Sequence, residues 1–317
     1  DDALRAKAQK LQAKQKGFTL LELLVVITLL ASSATAALVA YDGIGENASD
    51  VAAANSLISA ESALRNYRAV ENVYPNQWDN LASLQGTAID ASSATGAVQN
   101  IGASSLLADE TKEFFGQWIA PVSDTQGVLT SVAAALEAVG IDELQTLNAD
   151  ASGAITGVVP NLAFNESGGS TASELELLDE DENFSVAWNR DGTNEVNPTN
   201  VGLSIVPSGG DANGCRAGTG GPLLTTRLDG IVMTDSANLN LINDAVDDDA
   251  CTLVLALGYG KDVPGTTINS RVAIAQVPTV GTANVNPATS YARAIALFQV
   301  AEDTNEDGVI ASSEVFA

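Results

Sequence analysis

Hydrophobic residues run almost without interruption through residues 18–41, and no charged residue occurs between Leu23 and Tyr41. As a helix this stretch would be about 36 Å long at about 1.5 Å per residue, which is enough to cross the hydrocarbon core of a membrane. One carboxylate, Glu22, interrupts the run near its start. A carboxylate costs free energy in hydrocarbon, so its presence there indicates a specific partner.

Helical spacing returns beyond the apolar run and continues to Val70, on a face made of Leu57, Ala60, Leu64 and Tyr67. Pro75 follows shortly after and cannot continue a helix. The pattern therefore predicts one long helix over residues 18–70. Two glycines within residues 42–46 predict a loosened stretch in this helix, or a loop between a membrane anchor and a separate domain.

The remaining chain alternates short apolar runs with clusters of Gly, Asn and Ser, which is typical of β-structure with long loops. We expect strands at 185–188, 203–206, 252–258, 271–277 and 291–300, and a loop at 86–108. Short helices are expected at 107–118 and 130–139. Thr130 or Ser131 would cap the second helix and Gly140 would end it.

The charge is divided sharply along the chain, which has 14 basic and 40 acidic residues and a formal net charge of −26. Five of the basic and two of the acidic residues lie within residues 1–17, so residues 18–317 carry a net −29. A body this acidic repels phosphate backbones, and nucleic-acid binding by the head surface is not expected.

Histidine is absent from the sequence, which removes the commonest general base and His-ligated zinc sites. Carboxylates are too numerous for any pair to stand out as acid and base, so we expect no enzyme. The chain has two cysteines, Cys215 and Cys251. They indicate one disulfide in an oxidising compartment, with two free buried thiols as the alternative. Closing this loop would stabilise the fold by roughly 3–4 kcal/mol in the chain-entropy model.

The basic residues 1–17, the pair Gly17-Phe18 and Glu22 resemble the processing site of bacterial type IV pilins and pseudopilins. The resemblance implies cleavage between Gly17 and Phe18 by a prepilin peptidase, followed by methylation of the Phe18 amine. It also implies that Glu22 meets the Phe18 amine of a neighbouring subunit in a polymer. This role agrees with the physics, because a buried charge that is unsatisfied in the monomer favours polymerisation.

This resemblance implies an α+β fold, a pilin-like roll in which the long N-terminal helix packs on an antiparallel sheet, with enlarged loop and helix insertions around 80–250. The expected organisation is a basic leader at 1–17, a helix at 18–70 whose part 18–41 forms the transmembrane segment and filament core, and an acidic extracellular head at 71–317.

A second motif, "DTNEDGVIASSE", lies at 303–314 and matches the twelve-residue calcium loop. Oxygen ligands are expected from five residues, namely Asp303, Asn305, Asp307, the Val309 carbonyl and Glu314. Gly308 permits the tight turn and Ile310 serves as the apolar anchor. An ordinary acidic turn is the alternative. A bound Ca²⁺ would tie down the C-terminal tail.

Together these features predict a homopolymer, a cell-surface pilus whose subunit enters the inner membrane before the assembly machinery adds it to the filament. Two alternatives stay open, a type II secretion pseudopilin and a membrane-anchored monomeric calcium-binding or adhesive surface protein. Asn47, Asn165 and Asn183 lie in glycosylation sequons, which arise easily by chance.

Overall fold

The computed structural model describes residues 20–83, 106–123, 125–147, 172–177, 184–188, 194–196, 200–209, 214–246, 251–259 and 285–316. Internal contacts divide the chain after Val51 into two compact units, and each is described by itself. The first unit contains the N-terminal part of a long helix. The second unit, Ala52–Ala317, contains the rest of that helix and the sheet.

Helix α1 runs from Leu20 to Glu71, as the apolar spacing predicts. The expected loosening at 42–46 is wrong, because the backbone is helical throughout this stretch. Each glycine costs only about 1 kcal/mol relative to Ala, and extending an existing helix is far easier than starting one. Asn72 ends the helix with a left-handed φ of 62°, and its N–H donates to the Arg68 carbonyl at 2.9 Å.

Short strands and helices make up the rest of the described chain. The helices are α2 (Asp109–Phe114), α3 (Val128–Ala138) and α4 (Ala237–Asn240). The strands are β1 (Trp78–Ser83), β2 (Gly116–Pro121), β3 (Glu143–Leu147), β4 (Ala172–Glu176), β5 (Ser185–Trp188), β6 (Asn194–Val196), β7 (Asn200–Val206), β8 (Arg216–Ala217), β9 (Thr252–Tyr259), β10 (Ala294–Glu302) and β11 (Val309–Ile310).

Nine of these strands form one sheet in the order β2-β7-β9-β1-β3-β4-β5-β6, with β10 paired to β9. The expectation of an antiparallel sheet is only partly right, because β1 and β3 pair in parallel while the other neighbours are antiparallel. The long connection between β1 and β3 allows the parallel pairing. The region 80–250 supplies β2 to β7, so the expected insertion is part of the sheet itself.

The predicted elements match the structure unevenly. Strand β5 has the predicted bounds, and β7, β9 and β10 contain most of their predicted runs. The predicted helix at 107–118 is wrong in its second half, because Gly116 begins β2. Helix α3 has Gly127 as its N-cap, not Thr130 or Ser131, and ends before Gly140, which has a φ of 94°. The predicted strand at 271–277 and most of the loop at 86–108 lie outside the described residues.

The C-terminal part of α1 packs on the sheet through small side chains. Ser56, Ala60 and Ala63 are buried, and Leu64 packs against the core cluster that contains Trp78 and the middle of β9. Leu57 was expected on this face, but its side chain is 59% exposed. Small residues on the buried face let the helix backbone approach the sheet closely. The larger Leu57 lies outside this face.

Strand β9 is the centre of the sheet because it has three partners. Strand β10 pairs with it along one edge, while β7 and then β1 follow each other along the opposite edge. We call the point where β1 takes over from β7 along β9 the fork. Asn80 of β1 and Ser204 of β7 join these two strands there. Asn80 Nδ2 donates to the Gly202 carbonyl at 2.7 Å and its Oδ1 accepts from the Ser204 amide at 3.0 Å. The Ser204 hydroxyl donates to the Ala256 carbonyl at 2.5 Å. Polar side chains thus supply hydrogen bonds where the ladder divides.

A buried ion pair lies beside this fork. Asp79 Oδ2 accepts from Arg293 Nη1 at 2.8 Å and from the Tyr291 hydroxyl at 2.6 Å, and both charged side chains are fully buried. Gly258 of β9 faces Asp79, and a Cβ there would lie 1.9 Å from the Tyr291 oxygen. Burial and the adjacent Asp79 raise the pKa of Tyr291 well above its ordinary value. Tyr291 therefore stays protonated and ties the segment before β10 to β1.

We expect Asp79→Asn and Arg293→Met each to lower the free energy of unfolding by about 3–5 kcal/mol, because each leaves the partner buried without its counter-ion. The double variant should lose much less than the sum. Urea unfolding of the full chain in detergent measures both effects. The exposed pair Asp109 and Lys112 is the control, and its coupling should stay below about 1 kcal/mol. Equal coupling in the two pairs would contradict this assignment.

Candidate functional site

The segment Leu20–Leu38 of α1 is long and apolar enough to span a membrane, and within the described residues it is the one such helix. Its mean hydropathy is 2.0, and all of its side chains are exposed. Nineteen helical residues extend about 28 Å, close to the thickness of a bilayer core. We call these residues the apolar segment. An exposed apolar surface of this length favours a lipid or protein environment over water.

The hydroxyl side chains of the apolar segment form their hydrogen bonds within the helix. Thr28 donates to the Leu24 and Val25 carbonyls at 3.1 and 2.9 Å. The same back-bonding to carbonyls three or four residues earlier occurs at Ser32, Ser33 and Thr35. Polar groups bonded in this way cost little in hydrocarbon. The hydroxyls are therefore compatible with a membrane or with a dry helical bundle.

Glu22 lies in the first turn of α1 as described, and its side chain is exposed. Gly17 and Phe18 lie outside the described residues. The predicted cleavage between them and the contact of Glu22 with a neighbour's Phe18 amine therefore stay predictions.

A disulfide joins Cys215 and Cys251, whose Cα atoms are 5.1 Å apart and whose positions differ by 36 residues. Both cysteines are buried. Cys215 directly precedes β8 and Cys251 directly precedes β9. The predicted pairing is therefore present, and it holds the short strand β8 beside the central strand of the sheet.

The predicted calcium loop at 303–314 lies against this disulfide. The Asp303 amide donates to the Cys251 carbonyl at 2.8 Å, and the Arg216 amide donates to the Gly308 carbonyl at 3.0 Å. Ile310 is fully buried, and its carbonyl accepts from the Gly218 amide at 2.9 Å. β11 pairs in parallel with β8. The expected anchoring role of Ile310 is thus seen, and the loop and the disulfide form one structural unit.

Three of the predicted ligands share one local arrangement. The side-chain oxygens of Asp303, Asn305 and Asp307 each accept from the backbone amide two residues later, at 3.2, 3.1 and 2.9 Å. Asp303 also accepts from the Gly308 amide at 2.7 Å, and Gly308 has a left-handed φ of 79°. This turn places three oxygen-bearing side chains at alternate positions, which is the donor chemistry that suits a hard cation.

Glu314 has other partners in the structure. Its carboxylate accepts from the Thr304 amide at 3.0 Å, the Thr304 hydroxyl at 2.8 Å and the Ala311 amide at 2.9 Å. Burial acts to raise the pKa of Glu314, but these hydrogen bonds outweigh it and lower the pKa. No group of three or more His, Cys, Asp or Glu side chains able to hold a metal occurs in the described part of the chain. Calcium binding therefore stays a prediction.

The network of Asp79, Tyr291 and Arg293 was not predicted from the sequence. The one available signal was Arg293 within an otherwise apolar alternating run, which marks a buried charge that needs a partner. Nothing in the sequence identified Asp79 as that partner, 214 positions away. Of the three sequon asparagines, Asn47 lies in α1 and the other two lie outside the described residues.

Comparison with known proteins gives one match. Residues 12–38 match the family model of the prokaryotic N-terminal methylation motif. No curated protein and no solved structure matches the chain. The match covers Lys14, Lys16, Gly17, Phe18 and the apolar segment with Glu22.

Replacing Cys215 and Cys251 together by Ser should lower the free energy of unfolding by about 3–4 kcal/mol, because the unfolded chain regains the entropy of a 36-residue loop. Amide hydrogen exchange at Asp303 and Gly218 should rise more than exchange within α3, since the disulfide holds β8 against the loop. An equal rise in both regions would contradict the coupling of the loop to the disulfide.

Proposed function

We propose that this chain, whose residues 12–38 carry the signature of type IV pilin- and pseudopilin-type proteins, is the structural subunit of a bacterial type IV pilus-like surface filament. The motif points to a structural, non-enzymatic protein and implies processing by prepilin peptidase and assembly into pilus-type filaments. The single observation that carries the proposal is the apolar segment, which the motif matches and whose side chains are exposed.

Assembly begins in the inner membrane. The basic leader 1–17 stays on the cytoplasmic face, in agreement with the preference of Lys and Arg for that side. Prepilin peptidase cuts between Gly17 and Phe18, and the new Phe18 amine is methylated. The acidic head faces away from the cytoplasm, where its disulfide forms in an oxidising environment.

Polymerisation then replaces lipid by neighbouring copies around the apolar segment. Glu22 pairs with the Phe18 amine of an adjacent subunit, which gives a carboxylate that is costly in hydrocarbon a counter-charge in the polymer. Because the pair forms at one axial offset of two helices, it sets the register of the filament. The size of the second unit supports a pilus subunit over a pseudopilin of type II secretion, since major pseudopilins have much smaller heads.

We further propose that the C-terminal loop binds Ca²⁺ through Asp303, Asn305, Asp307, the Val309 carbonyl and Glu314. A bound Ca²⁺ supplies a positive charge that holds several carboxylates of an acidic tail together. The repeated turn at the first three of these residues supports the proposal. To bind the ion, the Glu314 carboxylate must give up its hydrogen bonds with Thr304 and Ala311.

Glu22→Ala should abolish filaments while the subunit stays in the membrane, because the apolar segment still inserts but lacks its register contact. Electron microscopy and immunoblotting of sheared filaments measure the effect, and N-terminal sequencing should begin at Phe18. Asp50→Ala, which removes an exposed acid of the same helix outside the apolar segment, should leave filaments unchanged. Normal filaments in the Glu22→Ala variant would refute the assembly role of Glu22. If the parent chain itself forms no filaments, the result favours a monomeric membrane-anchored protein.

Adding Ca²⁺ should raise the melting temperature of the full chain, and a chelator should reverse the rise, because a ligand of the folded state stabilises it. At 100 times the dissociation constant the stabilisation is about 2.7 kcal/mol. Asp307→Asn should reduce the shift, whereas Asp229→Asn, in a surface loop outside the motif, should not. An unchanged melting temperature in the parent chain rules out the calcium site.

A further inference from the structure

A cavity of about 470 Å³ lies between the C-terminal turns of α1 and strand β10, within the second unit. Its apolar floor includes Leu64, Ala296 and Phe298. Its polar rim carries Arg65, Arg68 and the carboxylate of Glu61. We call this cavity the α1–β10 groove. The functions proposed above for the apolar segment and the C-terminal loop make no use of it.

Aromatic packing holds the floor of the groove in place. The Phe298 ring meets the Tyr74 ring edge-on at 5.4 Å and the Trp78 ring edge-on at 5.2 Å. Trp78 is buried, and its Nε1 donates to the Pro75 carbonyl at 2.5 Å. A floor fixed by such contacts loses little conformational entropy when a partner binds.

The rim of the groove has a net positive charge, with two arginines and one carboxylate, Glu61. Arg68 lies over the Tyr74 ring at 4.8 Å from its centroid, and its Nη1 donates to the Tyr74 hydroxyl at 2.8 Å. No carboxylate among the described residues forms an ion pair with Arg68. Arg65 pairs with Glu61 at 2.6 Å, but these side chains are 78% and 61% exposed, so the pair is weak and can exchange for a new partner.

Cations elsewhere in the described chain are engaged with their own neighbourhood. Arg293, Lys112 and Arg227 form ion pairs with acids of the chain, and Arg216 donates to the Gly221 carbonyl. Five of the 14 basic residues lie within residues 1–17, so residues 18–317 hold nine basic residues against 38 acidic ones. Two adjacent arginines beside an aromatic floor are therefore an uncommon feature of this acidic head.

We propose that the α1–β10 groove docks an acidic surface of a second copy of this chain. The inference rests on the proposed filament, in which copies that each carry a net −29 beyond residue 17 must stand side by side. Like charges repel at such distances, and a cationic rim facing a neighbour's carboxylates offsets the repulsion. Arginine and aromatic side chains around a packed apolar centre are also the composition of interface hot spots.

The first test is charge reversal in the full chain, in cells that assemble filaments. Arg65→Glu with Arg68→Glu should lower the amount of sheared filament about tenfold or more, because like charges facing each other across an interface cost several kcal/mol. The amount of subunit in the membrane should stay at the parent level. Lys112→Glu reverses one charge outside the groove, as each of the two substitutions does within it, and should leave filaments unchanged. Parent-level filaments in the double variant would overturn the proposal.

The second test does not depend on how the charge-reversed chain folds. Glu61, an exposed residue that lines the groove, is replaced by the photo-crosslinking residue p-benzoylphenylalanine, and illuminated cells should yield a covalent dimer of the chain. Adducts with other proteins alone, or no adduct, would overturn the proposal. If filaments form but no dimer adduct is found, docking at the groove is refuted while the proposed filament stands. If a dimer adduct is found in a membrane without filaments, the proposed filament is refuted while docking at the groove is supported.

Discussion

The exposed surface of the apolar segment is the constraint on which the rest of this protein depends. Burying a large aliphatic side chain is worth about 1.5–3 kcal/mol, and all side chains of Leu20–Leu38 are exposed. Either lipid or neighbouring copies of the helix can cover this surface. In the filament proposed above, the head must stay folded while the environment of the helix changes from bilayer to polymer.

The second unit meets this demand through β9, which pairs with three strands and carries the centre of the core. Asn80 and Ser204 supply the hydrogen bonds that the ladder lacks where β7 gives way to β1. Gly258 leaves the space in which Tyr291 reaches Asp79. These polar contacts are costly to leave incomplete, so they favour one register of the strands over its neighbours.

The sequence predicted the elements whose signal is local. The apolar run, the leader charges and Glu22 identified α1 and its family signature, and short apolar runs located β5, β7, β9 and β10. Local signals failed where tertiary pairing decided the outcome: 116–118 continues the helical pattern of α2 but pairs with β7 as a strand. In the same way, the glycines near residue 43 do not interrupt α1, because propagation along an existing helix outweighs their propensity.

The same distinction between local and tertiary signals applies to the candidate site. Sequence alone determined the apolar segment, the candidate cysteine pair and the spacing of Asp303, Asn305 and Asp307, because each depends on the chemistry of neighbouring residues or on composition. Only the tertiary structure decided that the disulfide lies against the C-terminal loop, that Asp79 meets Arg293, and that Arg68 and Phe298 line one groove. These contacts join residues from 52 to 230 positions apart, whose proximity depends on strand order and register, and no local pattern encodes either.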